Sequence, residues 1–293
     1  MTATDTPTTT EPAAPDGCAP GTSPTYRNER PAAGASFLTA TAATSRRSVL
    51  QFFRTPQLLV MGTVQGALFL FMFRYVFGGA IGTQHGLSYV NFLVPGFLVT
   101  VILWTGMGAS SGVAEDSATG VYDRLRSLPI PRLSVMVGRS IADAILVGWG
   151  VLVTGGIGFA VGFRFSGSVG AFAAGLVLIL IAGYAFSWVF ITIGLMAGNA
   201  QAAQGMSILV VPFSFVSSAN VPVSSMPGWM QPFAANQPIS VIVNAVRSLM
   251  SGGAQAVGIS HTTTYWVVLS LIWCAAIMLV FGTIATSRFA KMR

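Results

Sequence analysis

Between residue 57 and the C-terminus, apolar runs alternate with short polar interruptions, and several of the runs reach about 20 residues, the length a helix needs to cross a bilayer. The runs predict six spans, at about 57–77, 89–113, 133–161, 171–196, 205–219 and 263–286. A short polar turn, GNAQAAQ, separates the fourth from the fifth. Residues 220–260 break the pattern. Pro222, Pro227, Pro232 and Pro238 interrupt any continuous helix there. The apolar stretch Ile239 to Leu249 reaches only about half the hydrocarbon thickness, so it reads as an outer re-entrant or interfacial segment.

Ahead of the first span, Val49, Leu50, Phe52 and Phe53 share one helical face, and Arg47, Gln51 and Arg54 share the other. That pattern predicts an amphipathic helix lying on the membrane surface. Residues 1–36 are rich in Thr, Pro and Ala and have no apolar periodicity, which predicts a disordered tail. The expected division is a tail at 1–36, an interfacial helix at 37–56 and a membrane domain at 57–293. The fold class is all-α integral membrane protein, with six transmembrane helices.

Composition supports this class. The chain is 53% hydrophobic and 8% charged, against about 25% charged in soluble domains. The net charge of +7 does not point to nucleic acid, because the basic residues sit in short groups beside apolar runs. With the N-terminus inside, twelve of the fifteen Lys and Arg residues fall on the cytoplasmic side, leaving Arg74, Arg164 and Arg247 outside. The expectation is a multi-pass protein of the cell membrane with both termini cytoplasmic. Cys18 and Cys274 lie in a polar tail and an apolar run, so no disulfide is expected. His85 and His261 are isolated and read as loop residues.

The densest charge after residue 57 lies in EDSATGVYDRLRSLPIPR, residues 115–132, between the second and third spans. Glu115 and Asp116 followed by Arg124 and Arg126 suit a short helix aligned with its own dipole, with Asp123 between them and Pro129 and Pro131 ending it. Val121, Leu125 and Leu128 would share a face. Within the third span, Arg139 and Asp143 stand four residues apart and read as a structural charge pair. On that reading Asp143→Asn alone harms assembly, and adding Arg139→Gln restores it. The alternative makes Asp143 a contact for a cationic substrate.

The single lysine, Lys291, excludes a P-loop, which needs G-x-x-x-x-G-K-[ST]. No cluster of metal ligands and no catalytic constellation is present. The scarcity of intramembrane ionisable groups argues against an ion-coupled carrier. A stand-alone secondary carrier or membrane enzyme remains the alternative function.

EDSATGVYDRLRSLPI resembles the first cytoplasmic loop of type-2 ABC exporter permeases, especially those of the daunorubicin-resistance type. VSSANVPVSSMPGWMQPFAANQPISVIVNAVRSL, which holds Pro222, Pro227, Gly228, Trp229 and Pro238, is similar to that family's outer re-entrant segment, and GFRF, Gly162 to Phe165, also looks familiar. The resemblance covers about residues 45–290. It implies a membrane subunit of an ATP-driven exporter of a lipophilic drug, polyketide or lipid. ATP and magnesium would sit on a separate ATP-binding cassette subunit, expected in two copies, beside a second membrane subunit, identical or homologous. Residues Glu115, Asp116, Gly120, Asp123, Arg124, Leu125, Arg126, Leu128 and Pro129 would form the coupling helix, with Leu125 and Leu128 as its apolar anchors. No cofactor would sit on this chain, and its partners would include membrane lipid but no nucleic acid.

Overall fold

A computed structural model describes residues 36–55, 64, 66–77 and 89–291, and all regular structure among them is helical. The tail at 1–35, the start of the first expected span and the loop at 78–88 with His85 lie outside the described residues. The helices are α1 (Phe37–Phe53), α2 (Gly66–Val76), α3 (Tyr89–Ala118), α4 (Val121–Ser127), α5 (Arg132–Ala160), α6 (Val169–Met196), α7 (Ala200–Ile208), α8 (Val211–Phe215), α9 (Gln231–Asn236), α10 (Pro238–Met250) and α11 (Thr263–Lys291). The end of α2 winds into a π-helical stretch, Phe73–Phe77.

Among the described residues, four helices are long and apolar enough to cross a membrane: the runs Tyr89–Ala118, Leu133–Ala160, Val169–Met196 and Thr263–Phe289. They match the second, third, fourth and sixth expected runs. Helix α3 is the centre of the bundle and packs on α5, α6, α7 and α10, while α11 covers α6 and α10. Small residues let the central helices approach. A Cβ at Gly106 of α3 would overlap the Phe190 ring of α6, and one at Gly194 of α6 would come within 2.6 Å of the Ser110 carbonyl of α3. The main core gathers Phe97, Leu98, Ile102, Ile179, Phe186, Phe190, Val243 and Val246.

The expected fifth span is not one helix. The segment GNAQAAQ, read as a turn, begins α7: Asn199 caps it, its side-chain oxygen accepting from the Ala202 amide at 2.8 Å. The run is then cut at Leu209–Val210 and restarts as the five-residue α8, with Pro212 in its first turn. Proline has no N–H to continue the ladder, which favours a restart there.

Helix α1 starts at Ser36, whose side chain accepts from the Thr39 amide, and it lies along α5. Gly138 of α5 makes this approach possible, because a Cβ there would stand 2.7 Å from the Thr41 carbonyl of α1. Phe53 meets Trp149 of α5 edge to face at 5.5 Å. In GFRF, Gly162 has φ 106°, a conformation that glycine favours. The Arg164 guanidinium donates to the Phe159 and Phe163 carbonyls just past α5, where a cation suits the helix end.

Candidate functional site

Helix α3 runs through Glu115 and Asp116 and ends at Ala118, so these two acids close the second long helix and do not begin the loop helix. The chain turns at Gly120, which has φ 71°, a left-handed conformation that other residues adopt at a cost. The loop helix α4 is therefore shorter than the sequence implies. Asp123 and Arg124 lie exposed on it, and the Arg126 side chain is outside the described set.

The two leucines part company. Leu125 is half-buried and packs on a cluster that includes Val113, Tyr122, Met136 and Phe289. Tyr122 is fully enclosed there, edge to face with Phe289 at 5.5 Å, and burial pushes its phenol pKa up. Leu128 is 51% exposed and lies beyond the helix, with ψ 148°. Pro129 explains this, since the residue before a proline is driven from helical to extended backbone. The shared face expected for Val121, Leu125 and Leu128 does not form. Leu125 faces its own protein, while Leu128 stands outward beside the exposed Pro129.

Above the loop, the charge pair of α5 belongs to a longer chain of charges. Arg139 Nε donates to Asp143 Oδ1 at 3.2 Å. Its Nη1 reaches Asp116 Oδ2 of α3 at 3.5 Å, and its Nη2 donates to the Ala109 carbonyl at 3.0 Å. Asp116 Oδ1 in turn accepts from Arg47 of α1 at 2.6 Å. Two arginines and two aspartates thus tie α1, α3 and α5 together. Arg47, read from the sequence as part of a polar surface face, is turned into this network. Asp143 Oδ2 is buried and has no hydrogen-bond partner among the described residues.

Beside the network is a cavity of about 620 Å³. Helices α1, α2, α3 and α5 contribute to its wall, together with Gln204 of α7. Aromatic groups line its body, and Glu115, Asp116, Asp143 and Arg139 line its charged part. Among the described residues no group of three or more His, Cys, Asp or Glu side chains is placed to hold a metal ion.

Residues 39–251 match the model of the ABC-2 type transporter family. The chain is 30% identical to the daunorubicin resistance ABC transporter permease protein DrrB1 of Streptomyces coeruleorubidus, over 77% of this chain and 80% of that protein. It is 26% identical to the probable doxorubicin resistance ABC transporter permease protein DrrC of Mycobacterium tuberculosis, over 74% of this chain and 79% of that one. It is 24% identical to the putative transport permease ycf38 of Cyanophora paradoxa, over 70% and 72%. This chain belongs to the ABC-2 type transporter family. As an ABC-2 permease it is a non-enzymatic, multi-pass membrane subunit, and its family implies an ATP-binding partner.

The family match extends through the proline-rich segment of this ABC-2 permease. Pro222 is buried and precedes a single 3-10 turn, Val223–Ser225. Pro227, Gly228 and Trp229 are exposed, Trp229 to 78%. Pro238 occupies the first turn of α10. One side chain anchors this part. Arg247, 1% exposed, donates through Nε to the Phe92 carbonyl at 3.1 Å. Its Nη2 donates to the Ser218 and Ala219 carbonyls at 2.8 and 3.3 Å. Its guanidinium lies 3.7 Å from the centre of the Phe92 ring. Charge counting treats Arg247 as an outer-side cation, but it is an internal tie. Asp116, a loop residue by sequence pattern, is a strut between helices. The cavity has no linear motif; the sequence singles out its charged residues Glu115, Asp116, Arg139 and Asp143 without bringing them together.

Proposed function

We propose that this chain is the membrane half of an ATP-driven exporter that moves a lipophilic drug, polyketide or lipid out of the cell. The observation that carries the reading is the family match over residues 39–251, joined to likeness along most of the chain with permeases named for daunorubicin and doxorubicin resistance. A single lysine near the C-terminus excludes a P-loop here, so ATP and magnesium belong to the ATP-binding cassette subunit. We assign two copies of that subunit and a second membrane subunit, identical or homologous, to the working assembly. Membership of a transporter family stands against the alternative of a membrane enzyme or an independent carrier.

Our reading puts both termini and the α3–α5 loop in the cytoplasm, on the Lys and Arg distribution. It gives the chain six spans, the fifth of them broken into α7 and α8, lays α1 along the inner surface and makes 220–260 an outer re-entrant segment. Trp229→Cys should then react with an impermeant thiol reagent on intact cells, in a background with Cys18 and Cys274 changed to Ser. Thr119→Cys should react only after the cells are opened. The reverse pattern would overturn the orientation.

The loop is the docking element for the ATP-binding subunit, and Leu128 with Arg124 and Pro129 forms its outward face. Leu128→Asp should reduce co-purification of the ATP-binding subunit and drug export by about tenfold or more, the effect of losing a central apolar anchor. The amount of permease in the membrane should hold, because Leu128 supports no core. Leu125→Asp should instead lower the permease itself, since it places a carboxylate against the Tyr122 cluster. Normal partner retention and export in Leu128→Asp would remove the loop from the coupling path.

A further inference from the structure

We propose that Tyr122 is the positioning residue through which the loop acts on α5: in a second state of the loop its hydroxyl donates to Asp143 Oδ2. The inference rests on reading the loop as the docking element for the ATP-binding subunit. Two buried atoms carry it. Tyr122 is 4% exposed, and its hydroxyl is enclosed with no hydrogen-bond partner among the described residues. Asp143 is 2% exposed; Arg139 Nε holds Oδ1, and Oδ2 has no partner among the described residues. Buried polar oxygens are normally satisfied. A phenol donates and a carboxylate accepts, so a single contact would satisfy both. Neither atom is open to solvent, which favours a partner from the protein itself.

The surroundings select this pair. The Tyr122 phenol lies in the field of Arg139, Asp116, Asp143 and Arg47, that of Arg139 foremost. It shares a cluster with Val113 of α3 and Met136 of α5. Met136 stands one turn before Arg139 and two turns before Asp143 on the same helix face. Val113 is one turn from both Ala109 and Asp116, the two α3 residues that Arg139 reaches. Asp116 is occupied, with Oδ1 on Arg47 and Oδ2 on Arg139. Trp188 Nε1 of the same cluster is also unpartnered among the described residues, but an indole N–H only donates and cannot take the phenolic proton. Asp143 Oδ2 is the acceptor left in the network. The loop is also built to shift. Gly120 starts α4 at φ 71°, and a Cβ there would meet nothing within 4 Å. Leu128 faces outward, while Tyr122 sits in a cluster built from α3, α5, α6 and α11. Force on the outward face moves α4 and carries the hydroxyl onto α5.

The test uses the permease labelled with 3-fluorotyrosine and purified with its ATP-binding subunit in phosphatidylcholine nanodiscs. The fluorine resonance of Tyr122 is the one lost in Tyr122→Phe. ATP with vanadate, which arrests the ATP-binding subunit, should shift that resonance. The shift should fall by more than half in Asp143→Asn, where the carboxylate acceptor is gone. ATP hydrolysis should drop about tenfold in Tyr122→Phe, the population change that one charge-assisted hydrogen bond controls. In the Asp143→Asn background the same substitution should cost less than about twofold, because one bond is lost only once. Without nucleotide, Tyr122→Phe should unfold at the wild-type temperature or above, since it removes an unbonded hydroxyl. Retention of the ATP-binding subunit should not change, because the outward face is untouched.

A resonance that ATP and vanadate leave in place would overturn the contact. So would equal losses of hydrolysis from Tyr122→Phe in the two backgrounds. A lower unfolding temperature in nucleotide-free Tyr122→Phe would show that the hydroxyl is already bonded at rest, and would also reject it. Should Asp143→Asn fail to assemble, the resonance shift, the hydrolysis rate and the unfolding temperature of Tyr122→Phe decide. A permease that retains no ATP-binding subunit would reject the docking reading and this contact together, whereas a retained subunit with an unmoved resonance rejects the contact alone.

Discussion

Arg139→Gln should remove most of the folded permease from the membrane. Arg139 bridges Asp143 on its own helix and Asp116 on α3, and it also holds the Ala109 carbonyl. Without it, Asp116 keeps Arg47, but Asp143 becomes a buried carboxylate with no cation in contact. Leaving a buried charge unpaired costs about 3–5 kcal/mol, a large share of the roughly 5–15 kcal/mol that holds a typical domain folded. Adding Asp143→Asn should restore most of the protein, because replacing both partners of a buried pair is close to neutral. Asp143→Asn alone should be mild, since Arg139 still meets Asp116 and the Ala109 carbonyl. This reverses the order expected from an isolated pair, in which loss of either partner strands the other. Thermal unfolding of the detergent-purified single and double variants checks it. Equal damage from Arg139→Gln and Asp143→Asn would show that Asp116 does not share the arginine.

The difference between the two expectations shows what the sequence carries. Spacing of four residues on one helix puts Arg139 and Asp143 on the same face, and that local inference matches the structure. The 23-residue separation from Asp116 and the 69-residue separation between Asp116 and Arg47 leave no periodic trace. The same division appears elsewhere. Long apolar runs announce α3, α5, α6 and α11, because hydropathy averages over many residues. In the fifth run, averaging hides a single Pro212 and the cap at Asn199. In the loop, a helical face was extended one residue too far: Leu128 satisfies the periodicity, but Pro129 dictates its backbone. The start of the first expected span and the tail lie outside the described residues. The cavity is a product of helix packing, so the sequence supplied its charged residues without the space between them.

Arg247→Met should loosen the outer segment and lower the unfolding temperature, with Arg247→Lys between it and the wild type. Two effects oppose each other. Burying a guanidinium without an acid beside it is costly, which would favour the apolar replacement. Against that stand three charge-assisted hydrogen bonds to the Phe92, Ser218 and Ala219 carbonyls, each worth about 1.5–3 kcal/mol, and the stacking on Phe92. Methionine would also leave the Ser218 and Ala219 carbonyls buried without that donor. Removal of a buried partner at about 1–3 kcal/mol per group makes the bonds the larger effect, so a net loss of about 3 kcal/mol is expected. The close packing around Ala219 adds to this: a Cβ at Gly96 of α3 would overlap the Ala219 carbonyl, so the turn has no room to settle elsewhere on α3. Lysine keeps the charge as a compact ammonium, which cannot serve three carbonyls and lie flat on a ring at once. Hydrogen exchange localises the effect. Amides of residues 216–221 and the last turn of α10 should exchange faster in Arg247→Met, while those at the α5 end near Arg164 should not change. An unfolding temperature in Arg247→Met equal to or above the wild type would mean that desolvation of the guanidinium outweighs its bonds, and that α10 is held to α3 by apolar packing alone.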